Sequence, residues 1–451
     1  MQESGGAKPV TKDQPTGPAA VAEATPPQQA GEARDPWWWV EPSVWTERML
    51  TRLEQSEPTT VWFRLWDKVT AEANLQAAFW AVWRNDGAPG ADGQTVKQFD
   101  AQAQAELAQL GEELRSKRYC RQPARRVWIP KPGSTEKRPL GIPAVRDRTV
   151  EAALKHVLEP IFERDFAEHS YGFRPGRGCR EAVQRVEELL REGRAWCVDL
   201  DFKSYFDTIP HDRLLGLVKR RVVDGSVLAL LEQSLKAGVL EELKGWQPTE
   251  RGTPQGAVIS PMLANLYLNP LDHQMARQGF EMVRYADDLV VLCRSHEEAE
   301  RALAYLRQWS EDAGLTVHPT KTRIVNVQAE GFDFLGWHFR GGNKWPRKKS
   351  LEKLREKLRP LTRRNNGRSL GAIIAKVNPI LRGWHAYFRE SHPNGLNGPD
   401  GWLRRRLRAM LCARRKRPGY GLSQANHQQW PNRWFAAHGL FSLEHGSCAY
   451  G

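Results

Sequence analysis

No two of the six cysteines stand at a C-x-x-C spacing: Cys120, Cys179, Cys197, Cys293, Cys412 and Cys448 are scattered along 451 residues. That spacing makes a zinc site or a disulfide framework improbable and leaves reduced, mostly buried thiols. No apolar run is long enough to span a bilayer, and no positively charged start leads into an apolar segment. Neither a membrane anchor nor a secretory signal is expected, which places the chain in the cytoplasm. Acids are the scarcer charge, 53 Asp and Glu against 67 Lys and Arg, for a formal net charge of +14. Between Lys344 and Arg417 only Glu352, Glu356, Glu390 and Asp400 offset 22 Lys and Arg, so that stretch carries +18 and the remainder −4. A basic excess confined to one region is the footprint of a surface that follows a phosphate backbone, whereas a merely solubilising helix face would mix in acids.

Hydrophobic content of 40% and charged content of 27% describe a globular protein of two or three domains. Residues 1–34, rich in Gly, Pro, Ala and Gln without apolar period, read as a disordered leader, and order is expected from Trp37-Trp38-Trp39-Val40 onward. The pattern from Val61 to Trp83 predicts a helix, broken by the turn formers between Asn85 and Gly93. Val127-Trp128-Ile129 predicts a strand leading into a cationic hairpin that contains Lys131 and Arg138. Helices are expected over Arg146–Arg164 and Arg180–Arg191, joined by the Gly-rich segment from Tyr171 to Gly178. A strand over Trp196–Phe202 and a helix from Glu297 to Ala313 follow. Beyond Trp345 three apolar stripes with Lys and Arg opposite predict a helical bundle presenting a cationic wall, and the residues after Pro418 read as a short tail.

Two groups of carboxylates carry the chemistry. Tyr285-Ala286-Asp287-Asp288 lies between the strand formers Met282-Val283-Arg284 and Leu289-Val290-Val291-Leu292, which predicts a tight hairpin with adjacent acids at its tip. At ~4 Å and an effective dielectric near ~20 their repulsion is on the order of 4 kcal/mol, relieved only by a cation or a raised pKa. On an isolated solvated turn such a pair would mean little, but a second acidic strand stands upstream. There Asp199 and Asp201 project from one face under the period of two, with Val198, Leu200 and Phe202 on the other. The two groups together suit a pair of divalent ions ~3.5–4 Å apart that clamp an in-line phosphoryl displacement.

These residues resemble a known family. Asp201-Phe202-Lys203-Ser204-Tyr205-Phe206-Asp207, Gly252-Thr253-Pro254-Gln255-Gly256 with Ser260-Pro261 and Asn265, Tyr285-Ala286-Asp287-Asp288, Gly314-Leu315-Thr316-Val317-His318 through Lys321-Thr322, and Phe334-Leu335-Gly336 are similar to successive reverse transcriptase motifs, in the family's order. Group II intron-encoded proteins are the nearest type, and Leu381 through Phe388 resembles the signature of their maturase domain. The resemblance implies an α/β (α+β) right-hand polymerase: N-terminal extension and fingers over 35–194, palm over 195–343, an all-helical thumb or maturase domain over 344–417 and a tail over 418–451. It implies metal binding by Asp201, Asp287, Asp288 and the carbonyl of Phe202, with Asp199 the rival to Asp201 on the same face. It also implies triphosphate binding by Lys131 and Arg138, discrimination against ribose by Phe206, nucleotide and primer contact by Gln255 and Gly256, and protonation of pyrophosphate by Lys321. Magnesium is the expected ion. Expected partners are intron and template RNA, a DNA primer, target DNA and deoxynucleotides, with no membrane. Trp37 to Trp39, Trp384 and Tyr387 mix stacking surfaces with cations, which suits structured RNA. Without cysteine pairs near its end, the chain is expected to lack the His-Asn-His endonuclease of many relatives. Two other readings share these residues: an RNA-binding splicing scaffold with a vestigial polymerase, and a domesticated enzyme of defence or repair.

Overall fold

The computed structural model describes residues 35–130, 137–417 and 419–448; the expected leader and Lys131 lie outside the described residues. Its strands are β1 (Ala124–Pro130), β2 (Lys137–Ile142), β3 (Trp196–Asp201), β4 (Val239–Glu241), β5 (Gly245–Gln247), β6 (Glu281–Tyr285), β7 (Asp288–Cys293), β8 (Arg323–Asn326), β9 (Phe332–Phe334), β10 (Trp337–Arg340) and β11 (Asn343–Pro346). They form three sheets of order β2-β1-β4-β5, β6-β7-β3-β8 and β11-β10-β9, within a mixed α/β architecture.

The sheet β6-β7-β3-β8 is antiparallel throughout and positions the acids. Its strands are apolar on both faces because both are covered. Val198, Leu200, Leu289, Val291 and Cys293 enter one core with Ala299, Ala302, Leu303 and Leu306 of the helix His296–Asp312. Cys197, Val283, Val290 and Leu292 enter a second core with the helix Cys179–Arg191. Asp199, Asp201 and Asp288 have the parity of that second face, so the apolar surface gives way to carboxylates toward one end of the sheet.

The second core runs on through the small sheet and the C-terminal helices. Phe332, Phe334, Trp337 and Phe339 meet residues of Lys348–Leu358, Leu370–Phe388 and Asn394–Arg414 there, as the three stripes predicted. Residues 419–448, expected as a tail, instead fold back: Trp430, Phe435, Leu440, Phe441 and Leu443 are buried in this core. Asp400 fixes the return, accepting from Ser442 Oγ at 2.7 Å and Leu443 N at 3.1 Å. Buried backbone amides need partners, and a single carboxylate supplies several.

The cationic wall is thinner than the charge count implied. Arg404, Arg408 and Lys344 are buried. Arg404 bonds Asp400, Arg408 bonds the Trp430 carbonyl, and Lys344 joins Glu187 to Glu390. The helix expected over Val61–Trp83 is likewise divided into Trp66–Val69 and Glu72–Asn85. Trp62 pairs with Val222 as an isolated bridge, and Asp224 accepts from the backbone of Leu65 and Trp66. Partners some 160 residues away thus override a local period. Among the described residues no helix is long and apolar enough to cross a membrane.

Candidate active site

The Asp-Asp turn is a tight reversal between β6 and β7, with Tyr285 paired to Asp288 and Ala286 in the left-handed region at φ 58°. That conformation costs a residue with a Cβ about 1–2 kcal/mol, so the surroundings must hold it. On its other side β7 pairs with β3 in a register that sets Asp201 directly opposite Asp288 and Asp199 opposite Val290. Directly opposed residues have Cβ atoms about 4.5–5.5 Å apart. Segments 87 residues apart therefore deliver two carboxylates to one spot, with Asp287 in the adjoining turn.

Three of the four acids hold their protons more tightly than usual. Burial raises Asp288 to about 7, and the charges of Asp199, Asp287 and Asp201 add to it, although the Asp288 side chain itself still meets solvent. Asp287 is raised chiefly by burial and also by Asp201; its own backbone amide, Arg138 and Arg284 oppose the shift. Asp199 is raised by burial against the pull of Arg323. Two cations relieve this field in the free protein. Lys321 Nζ lies 2.5 Å from Asp201 Oδ2, and Arg323 Nε lies 3.3 Å from Asp199 Oδ2.

Carboxylates that burial, and secondarily one another's charge, leave reluctant to ionise are a donor set suited to hard divalent cations. The backbone brings them together as expected, but the side chains are not preset. Among the described residues no three His, Cys, Asp or Glu side chains stand grouped to hold an ion, and Asp201 is turned to Lys321. Lys321, expected as a proton donor, thus occupies the acid it would have to release. Phe202 forms a bridge to Val317, flanked by bonds from His318 N to Asp201 O and from Lys203 N to Thr316 O.

The expected nucleotide residues fall around this centre. Arg138, in the β1–β2 hairpin opposite Ile129, is exposed and close enough to Asp287 to oppose the rise in its pKa. Phe206 is half-buried in the short helix Tyr205–Thr208, edge-on to Tyr205. The Gly252–Gly256 loop straps that helix, with Thr253 N donating to Phe206 O at 2.7 Å. Gln255 reaches Asp207 at 3.5 Å, and its carbonyl accepts from Gly141 N at 2.7 Å. Gly256 has φ +109°, and an added Cβ would stand 2.4 Å from the Gly141 carbonyl. The close approach that this backbone requires in the free protein is to β2.

Sequence reasoning passed over Arg323, Arg284 and Asp272. Arg284 and Asp272 are fully buried and paired. One signal was available: Arg284 shares strand parity with Met282, so its side chain points into a core and requires an internal acid.

Residues 129–339 match the family "Reverse transcriptase (RNA-dependent DNA polymerase)", and residues 351–430 match "Group II intron, maturase-specific domain". Protein YkfC of Escherichia coli (strain K12) is 35% identical over 309 residues, covering 65% of this chain and 76% of that protein. The group II intron-encoded protein LtrA of Lactococcus lactis subsp. cremoris is 33% identical over 235 residues, 52% of this chain and 38% of LtrA. A 91 kDa protein in the cob intron of Schizosaccharomyces pombe is 29% identical, matching 63% of this chain and 45% of its own length. The chain thus spans less than half the length of these last two relatives. Among solved structures, a telomerase from Candida albicans in complex with a fragment of telomeric RNA aligns with a TM-score of 0.41 at 13% identity, over 71% of this chain and 64% of that one.

Proposed function

From the premise that this chain belongs to the group II intron-encoded reverse transcriptase family, with an RNA-directed DNA polymerase domain and a maturase-specific domain, we propose that it copies RNA into DNA at the Asp201, Asp287 and Asp288 cluster. It also binds its intron RNA, assists splicing and supports retrohoming. The carrying observation is the register that sets Asp201 against Asp288 beside Asp287. Reverse transcriptase domains use divalent ions and bind an RNA template; magnesium is the ion proposed here, suited to carboxylate and triphosphate oxygens. Bound there, two ions would stabilise the attacking and leaving oxygens of an in-line transfer.

The residues then divide the work. Asp201, Asp287, Asp288 and the Phe202 carbonyl would hold the ions, with Asp199 kept aside by Arg323. Arg138 and Lys131 receive the triphosphate of a deoxynucleotide. Phe206 lies beneath its sugar, and Gln255 with Gly256 bounds the pocket next to the DNA primer. Lys321, once released from Asp201, would give its proton to the departing pyrophosphate. Residues 35–194 act as extension and fingers, 195–343 as palm, and 344–448 as thumb and maturase. The protein works in the cytoplasm.

Primer extension on an RNA template tests this reading. Extension that disappears in Asp287→Ala while RNA affinity is kept supports it. Splicing assistance without any extension, unaffected by that change, would make the protein a scaffold instead.

A further inference from the structure

The acid turn has too little of its own to stay in place. It pairs a left-handed alanine with two repelling carboxylates, and it ends at a sheet margin. What restrains it is a buried group behind it. The Arg284 guanidinium donates through Nε to Asp272 Oδ1 at 2.7 Å and through Nη2 to Asp272 Oδ2 at 2.5 Å. Its remaining arm, Nη1, donates to Asn265 Oδ1 at 2.9 Å and to the Ala286 carbonyl at 2.8 Å. Asn265 in turn donates to the Gly172 carbonyl at 2.7 Å, and a Cβ on Gly172 would stand 2.4 Å from Ala286 N. Asn265 and Asp272 lie seven residues apart on one helix, Ser260–Arg277, so they share a face. Arg284 N and O also pair with His169 and Tyr171. The turn is therefore clamped between a helix and the 169–172 loop, with the arginine fork as the pin.

Stability alone does not account for this pin. A buried ion pair can commonly be replaced by apolar residues of similar volume at little cost. What apolar residues cannot do is bond the Ala286 carbonyl, and a lysine, whose donors all radiate from one nitrogen, cannot grip both Asp272 oxygens in a planar fork while a separate arm reaches Asn265 and Ala286. We propose that Arg284, held by Asp272 and Asn265, is a positioning residue for the metal-binding turn: its grip on the Ala286 carbonyl fixes where Asp287 and Asp288 stand. The inference rests on the polymerase reading for its consequence in turnover, but its effect on ion binding can be measured separately.

The test compares the unaltered chain with the double variant Arg284→Met/Asp272→Leu and with Arg284→Lys. Each is measured for its melting transition, RNA affinity, Mn2+ affinity and primer extension. The double variant is expected to unfold cooperatively and to keep its RNA affinity. It should bind Mn2+ about tenfold more weakly and turn over about 10²-fold more slowly, with the KM for deoxynucleotide little changed. Arg284→Lys should fall between. A folded double variant with unchanged Mn2+ affinity and unchanged turnover overturns the proposal. If the double variant does not fold, Asn265→Ala serves in its place: faster amide exchange across Ala286–Asp288 and weaker Mn2+ binding support the pin, and no change in either overturns it. An unaltered protein that binds Mn2+ but extends no primer overturns the polymerase reading alone, and the Mn2+ affinities still decide the role of Arg284.

Discussion

Folding makes Asp288 hold its proton up to about pH 7, against an ordinary value of 3.8. An acid that binds its proton more tightly folded than unfolded contributes most to stability while protonated, and that contribution is lost as pH rises through the interval between the two values. Without divalent ions, the melting temperature relative to Asp288→Asn should therefore decline from about pH 4 to about pH 7. Adding Mg2+ above pH 7 should raise it in the unaltered chain only; a parallel response in the two proteins would count against ion binding at Asp288. The Lys321–Asp201 pair poses a second question at this scale. Such an exposed pair is worth up to about 1 kcal/mol, about fivefold in competition with an ion. Lys321→Ala should thus lower the Mg2+ concentration needed for half-maximal extension by up to about fivefold while slowing turnover about 10²-fold or more. Turnover and metal requirement both unchanged would remove Lys321 from the site.

Elements differ in how much of themselves the sequence discloses. The period of two put Asp199 and Asp201 on one face, and the apolar flanks of the Asp-Asp turn predicted its hairpin; both stand in the fold. The register between β3 and β7 could not be read, because it depends on contacts between distant segments rather than on either strand. The same limit hid the Arg284–Asp272 pair, the capping of Trp66–Val69 by Asp224, and the fold-back after Pro418. At Gly256 the close backbone approach is to β2, again a contact between distant segments that no local pattern announces. Gly256→Ala must move the Gly141 carbonyl and adopt a φ unsuited to alanine, at about 1–3 kcal/mol. It should lower the melting temperature and raise the deoxynucleotide KM by displacing the strap from β2. A melting temperature equal to that of the unaltered chain would mean that the loop is not packed there.

Across the whole molecule, the +18 region divides into cations that build the C-terminal core and cations that remain outside. Lys349 and Arg405 are exposed, whereas Arg408 is buried against Trp430 and Asn432. Replacing an exposed cation that meets phosphate should reduce the slope of log affinity for RNA against log salt by about 0.7–0.9. Arg408→Ala should instead lower the melting temperature, and a flat salt response throughout would mean that this face does not bind RNA. Polymerase activity in this molecule depends on distant segments converging at one reaction centre. Single-turnover primer extension in a cycle of Asp201→Asn, Asp288→Asn and the double variant tests that most directly. Residues that act as one unit are strongly non-additive, so the double variant should lose little more than either single variant, each of which is nearly inactive. Losses that multiply, or near-normal extension by Asp201→Asn, would contradict it.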